Sequence, residues 1–208
     1  MLVKSIKNYK FGVTVFLINL FWLLALYPAR LGADSSALLS MIRDGKSTDW
    51  WTGTFYWFFR LTSFGGKYPA LTSAIQLLIF SSAIIYLIFS FRFSLRTQKL
   101  TTVIFLMSPI YGFFGMAIAH DLTQTAGVLL VVAFEFRILN SLEKSRDSLV
   151  LPIACALLLT THSGVILIII VLFRLLAFKG VKITILTSVI LAMVYSLTSH
   201  GITKHLEV

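Results

Sequence analysis

Seven apolar runs separated by short basic clusters constrain this chain more than any other feature. They fall at 11–28, 69–91, 101–118, 122–139, 149–161, 163–178 and 183–199. A helix that crosses the hydrocarbon core of a bilayer needs about 20 residues, with a range of roughly 17 to 25. Most of the runs meet that length. The fifth and sixth are short, and an alternative joins them into one helix from Leu149 to Phe173 with Thr160, Thr161 and His162 near its middle. Hydrophobic residues make up 58% of the 208 and only 12% are charged, at a mean hydropathy of +0.90. A soluble domain of this size has too little interior to hide so much apolar surface, which predicts an all-α, polytopic transmembrane helix bundle.

The net charge of +10 does not point to nucleic acid, because the Lys and Arg residues cluster between apolar runs, where they set orientation. With seven spans and a cytoplasmic N-terminus, twelve basic residues lie inside: Lys4, Lys7, Lys10, Arg92, Arg96, Lys99, Arg137, Lys144, Arg146, Arg174, Lys179 and Lys182. Six lie outside: Arg30, Arg43, Lys46, Arg60, Lys67 and Lys204. Merging the fifth and sixth runs gives ten against eight, so the positive-inside rule favours seven spans. The turn at 160–164 then lies below the outer interface, a place for irregular backbone only where it lines a protein-walled or wet cavity. Met1–Lys10 superficially resembles a signal peptide, but no small-x-small cleavage site follows, and the first run reads as an uncleaved span. Cys155 lies inside an apolar run and carries no internal disulfide. Residues 206–208 read as the start of an engineered protease-tag sequence and are set aside, leaving 1–205 as one membrane module.

The stretch 29–68 is a long outer loop. Ser35–Arg43 and Thr54–Ser63 each have the pattern of a short amphipathic helix lying flat at the interface, with Trp50, Trp51, Tyr56 and Trp57 at headgroup level. Gly65-Gly66 ends the second helix before Pro69 opens the next span.

Against this apolar background, Asp34 and the His120-Asp121 pair stand at the outer mouths of runs, where a carboxylate is costly unless wet, paired or used. Each has a plainer role. Asp34 suits the N-cap of the helix that follows, accepting from the backbone of Ser36 or Ala37, and Asp121 has capping-box spacing to Gln124. His120 suits a headgroup-facing residue and His162 a hydrogen bond between helices. Yet Asp34, His120, Asp121 and His162 come from three outer loops on one face of the membrane, which makes them a joint candidate site. They could also ligate a divalent ion, but no dense His/Cys spacing demands one. Thr161-His162-Ser163-Gly164 fits an intramembrane serine protease poorly, no Gly-rich phosphate loop is present, and Gly112 and Gly115 read as helix packing. Glu135, far down the fourth run, reads as an interfacial ion pair with Arg137.

In four features the chain resembles the GT-C class of integral membrane glycosyltransferases. Gly32-Ala33-Asp34-Ser35 follows the first span; the first outer loop carries two interfacial helices with Asp49-Trp50 between them; Ser108-Pro109 lies within the third span; and His120-Asp121 opens the fourth. Many members of that class carry Asp-x-His-Pro where this chain has Asp49-Trp50-Trp51-Thr52, and Lys-Asp where it has His120-Asp121. Residues 10 to about 140 carry the likeness, and seven spans match the class's shared amino-terminal module.

The resemblance implies transfer of a sugar from a polyprenyl-phosphate donor to a hydroxyl of a glycan, lipid or protein on the outer face of a bacterial inner (cell) membrane; the sequence demands no cofactor and leaves room for a divalent metal. Asp34 would be the general base and Asp121 would orient His120 or the acceptor. His120, His162, Arg30, Lys67 and Asp49 would contact substrate. The competing expectation is a non-catalytic subunit or lipid-linked-sugar carrier that keeps the fold.

Overall fold

The structure, a computed structural model, describes residues 2–28, 31–45, 53–142, 147, 149–161, 164, 167–169, 171–172 and 176. Arg30, Asp49, His162, the seventh run and nine of the sixteen residues of the sixth lie outside these residues. Among the described residues every regular element is helical: α1 (Leu2–Ala25), α2 (Ala33–Asp44), α3 (Gly53–Thr62), α4 (Pro69–Ile88), α5 (Leu95–Met107), α6 (Pro109–Gly115), α7 (His120–Leu139) and α8 (Val150–Leu158). Two of them, α4 and α7, are each 20 residues long and apolar enough to cross a membrane, and within α1 the apolar stretch Tyr9–Ala25 is somewhat shorter.

The helices pack as a bundle with α4 at its centre, against α1, α5 and α7, while α8 lies along α7. One core cluster joins Ile18, Leu77, Ile84, Leu106 and Tyr111 across α1, α4, α5 and α6. Another joins Phe134 of α7 to Leu151, Cys155 and Leu158 of α8 and to Ile168 and Val171 beyond. Large apolar side chains such as Phe16, Phe21, Leu24, Leu78 and Ile104 stay exposed on the outer faces, as a hydrocarbon environment permits.

The third apolar run departs from the expected single span. It is two helices, α5 and α6, with Ser108 extended between them (φ −61°, ψ 134°). Pro109 has no N–H and its ring drives the preceding residue out of helical geometry, so the helix stops and restarts with Pro109 at its first position. The break costs the Leu106 carbonyl its helical donor, and the Trp22 indole N–H of α1 takes its place at 2.8 Å. Trp22 comes so near that a Cβ on Gly112 would stand 2.2 Å from its ring. Gly112 and Trp22 therefore form one close-approach contact that seats α6 against α1.

The fifth run ends early. α8 stops at Leu158, and the chain turns through Thr160 and Thr161, both buried, with the Gly164 N–H donating to Thr161 Oγ1 at 2.9 Å. A helix continuous from Leu149 to Phe173 is thereby ruled out. Leu167, Ile168, Val171 and Leu172 pack against α7 and α8.

The two helices expected in the stretch 29–68 form, but their apolar faces meet each other. Leu38, Leu39 and Ile42 of α2 interlock with Phe55, Tyr56 and Phe59 of α3 and with Ile118 ahead of α7. Arg43 donates from Nε and Nη2 to the Gly66 carbonyl at 3.1 and 3.0 Å, fastening α2 to the turn where Gly65 and Gly66 adopt left-handed backbone (φ 68° and 82°). At the opposite end of α7, Arg137 pairs with Asp147 (Nε–Oδ2 2.9 Å) in place of the expected Glu135, which stands two positions away on the helix and off that face.

Candidate functional site

The segment 116–119 between α6 and α7 is non-helical, and its buried carbonyls have to be satisfied by side chains. Three polar residues do so. Ser73 Oγ of α4 donates to the Met116 carbonyl at 3.1 Å, Gln76 Nε2 donates to Ala119 O at 2.8 Å, and Ser35 Oγ of α2 donates to Ile118 O. Ser73 and Gln76 are three positions apart and so share the face of α4 that meets this segment. Together the three bonds fix where α7 begins and hold the start of α2 beside it.

A cavity of about 620 Å³ lies at that meeting point, a size usual for small-molecule sites. Asp34, His120 and Asp121 all line it, so the structure brings together three residues from loops 86 or more positions apart in sequence (34 to 120). Neither carboxylate is the expected cap. Gly32 is the N-cap of α2 and Ala119 of α7, both in extended backbone and neither with a side-chain cap bond. Asp34 and Asp121 are instead each the second residue of their helix, in the first turn, where the positive end of the helix dipole favours a negative charge. Two helix starts with a carboxylate apiece thus open on one space.

His120 is one-third exposed and Asp121 largely exposed, with His120 Nε2 3.3 Å from Asp121 Oδ1. The imidazole meets the Phe55 ring edge-on, 5.7 Å between centroids, so α3 and Asp121 together limit its orientation. The Asp34 carboxylate is exposed and makes no hydrogen bond or ion pair with any described residue. Lys67 sits apart, on the turn before α4, with its ammonium 5.3 Å over the Tyr68 ring, and does not line the cavity. Arg30, Asp49 and His162 lie outside the described residues.

Most of the rest of the lining is apolar, with hydroxyls at Ser35, Tyr111 and Thr125, and its aromatic part was not singled out from sequence. Phe80 and Tyr111 stack in parallel, 5.8 Å apart, and Tyr111 is fixed by donating to Asn19 Oδ1 at 2.6 Å. Phe105, Ile110, Phe113 and Phe114 form the outer wall and are themselves exposed on the bundle surface. The space therefore has an acidic end and an aromatic arm. Among the described residues no group of three His, Cys, Asp or Glu stands close enough to hold a metal ion. Compared with protein-family models, curated proteins and solved structures, the chain matches none.

Proposed function

We propose that this protein is a membrane glycosyltransferase, or the conserved module of one, moving a sugar from a polyprenyl-phosphate donor to an acceptor hydroxyl on the outer face of the membrane. The observation that carries the reading is the convergence of Asp34 with the His120–Asp121 pair in one cavity walled on its far side by surface aromatics. A transferase of this kind needs little more. The phosphate on sugar C1 is already a good leaving group, so the protein must orient the acceptor and remove its proton. Asp34, exposed and unpaired among the described residues, takes the proton as the acceptor oxygen bonds to C1 and the C1–O bond to the lipid phosphate breaks. The imidazole of His120, steadied by Asp121, donates to an oxygen of the sugar or the acceptor. Arg30 and Lys67 remain the basic candidates for the departing phosphate.

The same reading carries seven spans with a cytoplasmic N-terminus, the cavity on the outer side and the basic residues Arg92, Arg96, Lys99 and Arg137 at the inner ends of the helices. It also carries the likeness of residues 10 to about 140 to GT-C enzymes.

Transfer from a labelled polyprenyl-phosphate sugar pool, by wild type and by Asp34→Asn, tests the proposal. Asn keeps the size of the side chain, and loss of a positioned base costs about 10²- to 10⁴-fold in rate. Equal transfer by both proteins would reduce Asp34 to a helix-dipole charge, and no transfer by wild type would favour a non-catalytic subunit or carrier.

A further inference from the structure

The two halves of the cavity have chemistries that together select a ligand. At the polar end stand two carboxylates, Asp34 and Asp121, and the imidazole of His120; among the described lining residues there is no Lys or Arg. An anionic headgroup there would face like charge from both carboxylates with no Lys or Arg among the described lining residues to offset it, whereas hydroxyls would find acceptors on both. The other end is Phe105, Ile110, Phe113 and Phe114, and it exists because the helix breaks at Ser108-Pro109 and α6 tilts into its own seat on Trp22. Those four side chains both line the cavity and face outward, Ile110 being 70% and Phe114 59% exposed. The aromatic arm is thus continuous with the surface a bilayer would cover, and a ligand reaches it sideways. A soluble sugar would leave this wall unused, and a bare hydrocarbon would leave the carboxylates unused.

We propose that the cavity binds a membrane lipid with an uncharged, hydroxyl-bearing headgroup, its chain against α6 and its hydroxyls between Asp34 and Asp121. Resting on the transferase reading, this lipid is the acceptor, and the anionic donor phosphate binds outside this cavity.

Binding can be read without any donor. The full chain, in phosphatidylcholine nanodiscs, is irradiated with a monoacylglycerol bearing a mid-chain diazirine, or with the chain-matched lysophosphatidic acid, and adducts are mapped by mass spectrometry. The monoacylglycerol is expected to label Ile110, Phe113 and Phe114, and the phosphate probe at least about tenfold less. The paired substitution Asp34→Asn with Asp121→Asn retains both side-chain volumes and is expected to bring the two probes within about twofold, by removing the repulsion. Phe113→Ala with Phe114→Ala should lower labelling by both. Equal labelling of wild type by both probes, or adducts scattered over the outer faces of α1 and α4 with no excess on α6, would overturn the inference. Headgroup-selective labelling in a protein that transfers no sugar would keep the lipid site and reject the transferase; transfer to a water-soluble acceptor without selective labelling would do the reverse.

Discussion

Gln76 shows at the scale of one residue how this chain places its chemistry. It is 1% exposed in a largely apolar helix, a costly position for an amide, and it donates to Ala119 O at the start of α7. Gln76→Leu removes that donor next to a buried carbonyl and is expected to cost about 1–3 kcal/mol, read as a lower unfolding temperature in detergent. Gly112→Ala tests the neighbouring seat. Its methyl would stand 2.2 Å from the Trp22 ring, so overpacking of about 1–3 kcal/mol is expected, with a change in Trp fluorescence. That Asp34 and Asp121 stand at helix starts is legible in the sequence, because acidic residues there precede apolar periodicity. Which residue caps each helix is not, since it depends on the extended backbone of Gly32 and Ala119, which no side-chain spacing reveals.

Among the elements, the α2–α3 layer decides whether Asp34 reaches the cavity at all. Phe59 is fully buried between the two helices, and Phe59→Ala is expected to cost about 3–5 kcal/mol and to loosen α2, which limited proteolysis near residue 45 would report. Hydropathy predicts both helices but assigns their apolar faces to lipid headgroups. An amphipathic stripe has the same period whether it meets lipid or protein, and the partner, Ile118, lies some eighty residues on. The third run is a different lesson. Ser108-Pro109 is visible in the sequence and is a strong break signal, yet mean hydropathy over 101–118 hides it, because the residues on both sides are equally apolar. The aromatic arm of the cavity follows from that break, and it escapes a reading that seeks chemistry only in polar side chains.

For the whole molecule, one apolar bundle has two unlike ends. The cavity lies at the start of α7, and about 30 Å away, twenty residues at 1.5 Å each, the end of α7 meets Arg92, Arg137 and Asp147. Arg92 Nε donates to Asn140 O at 2.9 Å there, and Asn140 Nδ2 to Ser90 O at 3.0 Å. In a Cys155→Ala background, Ser36→Cys is expected to react with an impermeant maleimide on intact cells, and Ser141→Cys only after permeabilisation; outside labelling of Ser141→Cys would invert the topology. The bundle and its helical class follow from composition and periodicity. Asp34, His120 and Asp121 are legible in the sequence as polar residues at the ends of apolar runs, although the side chains that bring them together, Ser35, Ser73 and Gln76, look like ordinary polar residues there.

The central claim is that Asp34 and Asp121 serve one bound acceptor in one cavity. A double-mutant cycle on initial transfer rate measures it, with wild type, Asp34→Asn, Asp121→Asn and the pair compared on the same lipid-linked sugar pool. Residues that act as a unit are strongly non-additive. The expected result is a pair no more than a few-fold slower than Asp34→Asn alone, itself slower than wild type by about 10²- to 10⁴-fold. Single losses that multiply cleanly in the pair, or an Asp34→Asn rate equal to wild type, would contradict it.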